Sequence, residues 1–119
     1  MTIQELIAQN EDYIIEMRRE FHMHPELSYQ EERTSRRICE ELEKMNIQYE
    51  VVGRRNVIGI INKNKEGKKI AIRADIDALP VCEEVDLPFK SQTPGVMHAC
   101  GHDGHTAMLL GIAKSLNEL

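Results

Sequence analysis

At 119 residues the chain has room for one domain, or for a portion of a larger one. Its 15 basic and 20 acidic residues give a formal charge of −5 with no basic block, which excludes an electrostatic nucleic-acid binder, because neutralising phosphate requires clustered Lys and Arg. No apolar run approaches the ~20 residues of a membrane span, and the opening MTIQELIAQNEDY lacks a basic start followed by an apolar stretch, so a cytoplasmic protein with no membrane partner is expected.

Hydrophobic residues make up 41% of the chain but aromatics only 4%, with no Trp, so the core must rest on Ile, Leu, Val and Met. In chain order, Ile3, Leu6, Ile7, Ile14, Met17 and Phe21 recur near the helical period and predict a helix over 3–22, stopped by Pro25. Ser28 and Glu31 have capping-box spacing with Leu27 as the staple residue, and Ile38, Leu42 and Met45 line one face of a second helix over 29–45. Asn46 is its expected left-handed stop. Short β-branched runs then predict strands near 47–53, 57–62 and 68–75, with NKNKEGK (62–68) as a solvated hairpin loop that has Gly67 available for positive φ. Residues 79–97 contain three prolines and no sustained period and read as an ordered loop. A last helix is predicted over 105–118, with Met108, Leu109, Ile112, Ala113, Leu116 and Leu119 in one stripe. The fold class is therefore α/β. The stripe runs on to Leu119, where an α/β arrangement would lead into another strand, so the chain reads as an incomplete domain.

Three polar clusters could carry chemistry. The densest is Met97-His98-Ala99-Cys100-Gly101-His102-Asp103-Gly104-His105, in which thiolate, imidazole and carboxylate form the donor set of zinc or a similar divalent ion. Cys100 and His102 are two apart, a spacing that points both to one side of an extended or turning backbone. Asp103 or a backbone carbonyl could then hold the far nitrogen of a ligating imidazole. The plainer alternative is a polar loop whose histidines cap the next helix; the density of ligand types favours the metal. In Arg73-Ala74-Asp75-Ile76-Asp77-Ala78-Leu79-Pro80, two carboxylates close the third predicted strand, where ligands of open α/β sheets collect. Alternatively Asp75 pairs with Arg73 and Asp77 starts a turn. His22 and His24 flank a helix end and read as dipole-favoured caps, while Cys39 and Cys82 read as inert thiols.

The strings RREFHMHPELSYQEERTS, IAIRADIDALP and GVMHACGHDGHTAMLLG, in this order, resemble the amino-terminal part of the M20 metallopeptidase family. More narrowly, they are similar to its aminoacylase-like amidohydrolases of N-acyl-amino acids, hippurate and indole-acetyl-amino acids. The resemblance implies the amino-terminal portion of a zinc-peptidase-like catalytic domain over 1–119, without the remaining catalytic strands or the inserted dimerisation domain. It implies a two-metal site for Zn, Mn, Co or Ni, with Cys100 and His102 as ligands and Asp77 as the carboxylate that orients a ligand. Asp75 stands where related peptidases carry a metal-binding histidine, and Asp75, Asp103 and His105 are candidates to support the ligands from behind. The implied substrate is an N-acyl-amino acid or a dipeptide-like amide. The proton-shuttling glutamate and the other ligands are expected later in the family's chain, so an inactive fragment is expected. Two other readings stand beside it: an oligomerising module using the exposed face of the last helix, and a metal-binding or thiol-redox domain centred on Cys100. No Cys-x-x-Cys pair supports the redox version.

Overall fold

A computed structural model describes residues 1–119. The elements run α1 (Ile3–Gln9), α2 (Glu11–Met23), α3 (Glu32–Lys44), β1 (Gln48–Val52), β2 (Asn56–Ile60) and α4 (His102–Glu118). No helix is long and apolar enough to cross a membrane.

The long first helix of the sequence reading is two helices, broken at Asn10. The buried Asn10 amide leaves the helix axis to donate to Ser115 Oγ (3.0 Å) and to accept from Lys114 Nζ (3.0 Å), both on α4. A polar side chain that must be satisfied inside the molecule outweighs one more turn of local helix. The capping box forms at the other site with the right spacing: Thr2 Oγ1 accepts from the Glu5 amide, and Glu5 Oε2 accepts from the Thr2 amide. At Ser28–Glu31 it does not form, because Tyr29 is left-handed (φ 66°) and the Ser28 hydroxyl donates to Asp77. The carboxylate of Glu26 caps α3 instead, accepting from the amides of Arg33 (3.2 Å) and Thr34 (2.6 Å). The α3 exit follows expectation. Asn46 is left-handed (φ 58°), and the Ile47 amide bonds back to the Leu42 carbonyl at 2.9 Å.

β1 and β2 form an antiparallel hairpin in which Val51 faces Val57 and Gln48 faces Ile60. The third predicted strand, 68–75, has no ladder partner, so 62–68 is not the loop of a hairpin, and Ile70 is 85% exposed. A strand needs a neighbour to receive its backbone hydrogen bonds, and none stands beside this run. The chain is then tied down by single bridges, Leu27 to Ala78 and Leu79 to Met97. The loop after it is ordered as expected: Gln92 donates to the Met23 carbonyl at 2.9 Å, and Ser91 Oγ to that of Val96 at 2.7 Å.

The core is Met17 and Phe21 from α2, Ile38 and Leu42 from α3, Ile47, and Ala107 and Leu110 from α4. α2 packs closely along α4, and α3 meets both helices through these side chains. The last helix starts at His102, three residues before its expected start, and turns a smaller face inward than its apolar stripe suggests. Thr106, Ala107, Leu110, Gly111 and Ser115 are buried, while Met108 and Leu119 are exposed. Gly111 lets α2 come close, since a β-carbon there would lie 2.4 Å from Ile14 Cδ1. The accessible surface is 7940 Å², against about 6,600 Å² for a compact domain of this mass. The chain thus keeps much apolar surface open.

Between α2 and α3, Glu41 Oε1 accepts from Tyr13 (2.9 Å), and Glu41 Oε2 pairs with Lys44 Nζ (3.1 Å) and with Arg37. Burial pushes the Glu41 carboxyl up, but the bonds from Arg37, Tyr13 and Lys44 outweigh it and hold it below the usual value. A depressed folded pKa gives stability that is present above the ordinary glutamate range and lost as the pH falls through the lower, folded value. Glu41→Gln is expected to lose about 1–3 kcal/mol at pH 7. Urea unfolding at pH 7 and at pH 3 checks this, since the gap between variant and parent should narrow in acid.

Candidate metal centre

The turn Cys100-Gly101-His102 lies between the loop and α4. Gly101 is the residue before the helix, in the left-handed region at φ 100°, and offers no side chain as a cap. His102 is the first helical residue. Its Nδ1 donates to Asp77 Oδ1 (2.9 Å) and lies 3.0 Å from the Asp77 carbonyl oxygen, which leaves Nε2 with a free lone pair. The second oxygen of Asp77 accepts from Ser28. Chiefly through the Ser28 bond, and then through His102, the Asp77 carboxyl is held below its ordinary value. The structure thus brings together Asp77, His102 and Ser28 from three segments far apart in sequence.

The other sequence-derived candidates separate. Cys100 is an exposed free thiol. His105 is exposed, with its ring centroid 6.2 Å from that of His102. Asp75 faces outward to pair with Arg73, as the alternative reading had it, and does not share a partner with Asp77. Asp103 turns away from His102: its Oδ2 accepts from His22 Nδ1 (2.8 Å) and Arg18 Nε (2.9 Å). The support expected of Asp103 behind a ligating imidazole is given to His102 by Asp77. No three His, Cys, Asp or Glu side chains converge closely enough to hold a metal ion.

His22 is not a helix-end cap. It is buried between two carboxylates, with Nε2 3.0 Å from Glu83 Oε2 on one side and Asp103 on the other. The Glu83 carboxyl is pushed up by burial, but the His22 bond and the Ser91 amide (2.7 Å) leave it below its ordinary value. Phe89 lies edge-on to His22 and beneath the guanidinium groups of Arg18 and Arg19. Sequence reasoning missed Glu83 because 61 residues separate it from His22, and no local pattern encodes that distance. His24, at the end of α2, is only partly exposed, and burial followed by the nearby Arg33 pulls its pKa down. His98 is buried with neither ring nitrogen bonded within the chain, and burial favours its neutral form.

Residues 71–119 match the model of peptidase family M20/M25/M40. The chain is 53% identical over 112 residues to thermostable carboxypeptidase 1 of Saccharolobus solfataricus, covering 92% of this chain and 28% of that protein. It is 45% identical over 118 residues to an N-acyl-L-amino acid amidohydrolase of Geobacillus stearothermophilus, covering 98% of this chain and 32% of that protein. Among solved structures, the YXEP protein of Bacillus subtilis, described as a dinuclear metal binding peptidase from the M20 family, superposes with a TM-score of 0.87. It shares 47% identity over 93% of this chain and 32% of its own. The chain spans about a third or less of the length of these relatives. By this family match over residues 71–119, and by identity to an amidohydrolase and a carboxypeptidase over nearly its whole length, the chain is similar to the amino-terminal part of peptidase family M20/M25/M40 members.

Proposed function

We propose that Cys100 and His102 are ligands of a divalent metal in a site that hydrolyses the amide bond of an N-acyl-amino acid or dipeptide-like substrate. The observation that carries this is the bond from His102 Nδ1 to Asp77, which commits one ring nitrogen as donor and leaves the other free for a cation. A carboxylate behind an imidazole in this way fixes its tautomer and orientation and raises its basicity as a ligand. The exposed Cys100 thiol lies two residues away. Thiolate and imidazole suit Zn²⁺, and imidazole also Co²⁺ or Ni²⁺. The donor types fit such an ion, whereas their number falls short of the four that a tetrahedral ion requires. A bound ion supplies an acidified water and polarises the substrate carbonyl. This chain's part is to hold one edge of it: Asp77 and Ser28 steady the His102 ring, and Gly101 makes the turn that separates His102 from Cys100.

Calorimetric titration with Zn²⁺ tests the ligands. Cys100→Ala and His102→Ala should each weaken binding strongly, and Asp77→Asn by about 10–100-fold; unchanged binding in the first two variants removes them as ligands. On this reading the proton-carrying glutamate is not among these residues, and loss of such a group costs about 10²–10⁴-fold in rate. Hippurate and N-acetyl-amino acids with Zn²⁺, Mn²⁺ or Co²⁺ should therefore be turned over by the 119 residues at least that much more slowly than by a full-length relative. Efficient turnover contradicts this.

The open apolar surface, with Met108 49% and Ile72 52% exposed, supports a second reading as an interaction module. Sedimentation separates the two, since a strictly monomeric folded species argues against it.

A further inference from the structure

We propose that Glu83, acting through His22 and Asp103, is a positioning residue for the Cys100–His102 turn. This rests on the reading of that turn as metal-binding.

The first turn of a helix has amides without helical partners and is normally held by a side chain just before it. Here that residue is Gly101, and no side-chain cap is made. Besides the His102 ring, which Asp77 holds, the nearest tether on α4 is Asp103, one residue further on. Its carboxylate is 2% exposed and is held by Arg18 and His22 from α2. Asp103 lies at one ring nitrogen of His22 (2.8 Å) and Glu83 at the other (3.0 Å). Glu83 is itself fixed by the Ser91 amide. The result is a line of three buried, hydrogen-bonded side chains running from the loop through α2 to the start of α4. Together with the Asp77 bond to His102, it holds that turn from two sides. Glu83 bonds neither Cys100 nor His102, so any effect it has on them passes through this line.

The variants are Glu83→Ala, which cuts the far end while leaving Asp103 its His22 and Arg18 partners, and Glu83→Gln, which keeps the side-chain shape and an acceptor for the Ser91 amide. The probe is Co²⁺, whose thiolate charge-transfer band reports the Cys100 bond. Glu83→Ala is expected to weaken Co²⁺ binding about tenfold or more and to diminish that band, within the roughly 10–100-fold range of lost support behind a ligand; Glu83→Gln should stay near the parent. Amide exchange gives a reading independent of metal. The His105 amide, bonded to the Gly101 carbonyl, should exchange at least tenfold faster in Glu83→Ala, while Gly111 to Ala113 keep their protection. Co²⁺ affinity and exchange within twofold of the parent would overturn the proposal, as would an equal loss of protection along all of α4, which marks general destabilisation. If the parent shows no Cys100-dependent band, the metal reading fails, and the His105 exchange ratio still decides whether Glu83 positions the turn.

Discussion

Replacing His22 by alanine is expected to destabilise the fold by about 3–5 kcal/mol, the cost of stripping the shared partner from two buried carboxyl groups. The size follows from what remains. Asp103 and Glu83 are each 2% exposed, and each would lose its imidazole with no water able to replace it cheaply. Asp103 would retain Arg18, which is 39% exposed and only partly compensates a buried charge. Glu83 would keep the Ser91 amide alone among these contacts. Since a domain of this size has about 5–15 kcal/mol in total, the variant should unfold at a much lower urea concentration. Arg18→Ala, acting at the rim, should cost clearly less. An equal or smaller loss for His22→Ala than for Arg18→Ala would show that the network is not the buried unit described.

A loss of similar size, about 3–5 kcal/mol, is expected for Phe21→Ala. Phe21 is 1% exposed and belongs to the cluster that joins α2 to Ile38 and Leu42 on one side and to Ala107 and Leu110 on the other. Phe21 is the only aromatic ring among the seven buried residues of the cluster, with Tyr13 and Tyr49 packed against it and only partly buried. Truncation would leave a cavity that helices pinned on both sides cannot close. Urea denaturation should show a lower midpoint with an unchanged slope, as a change in stability alone requires. Phe21→Leu should retain much of the loss.

What the sequence made legible was local. The α3 stop at Asn46, the first two strands and the periodic helices depend on residues within a few positions of one another, whereas the hairpin loop read at 62–68 closes no ladder. The misreadings came from partners distant in sequence. Asn10 breaks a helix because Ser115 and Lys114 hold its amide, and Ser28 leaves its capping role because Asp77 takes its hydroxyl. The inward face of α4 was misjudged for a related reason: α2 comes so close at Gly111 that small residues, not the large apolar ones, must face it. At the site, the dense cluster from His98 to His105 pointed to ligand chemistry, and the His102–Asp77 bond supports that reading. Asp103 was assigned to the same centre by proximity in sequence, yet successive helical residues point in different directions, and it faces α2 instead.

The unpaired run 68–75 that follows the hairpin has a cost. With Ile70 and Ile72 facing solvent and its backbone outside any ladder, it offers a template to another strand, the starting point of cross-β assembly. Lys68, Lys69 and Arg73 surround those two isoleucines and act as charged gatekeepers, because stacking copies in register would bring like charges together. The two exposed isoleucines are thus guarded by cations drawn from the same short run.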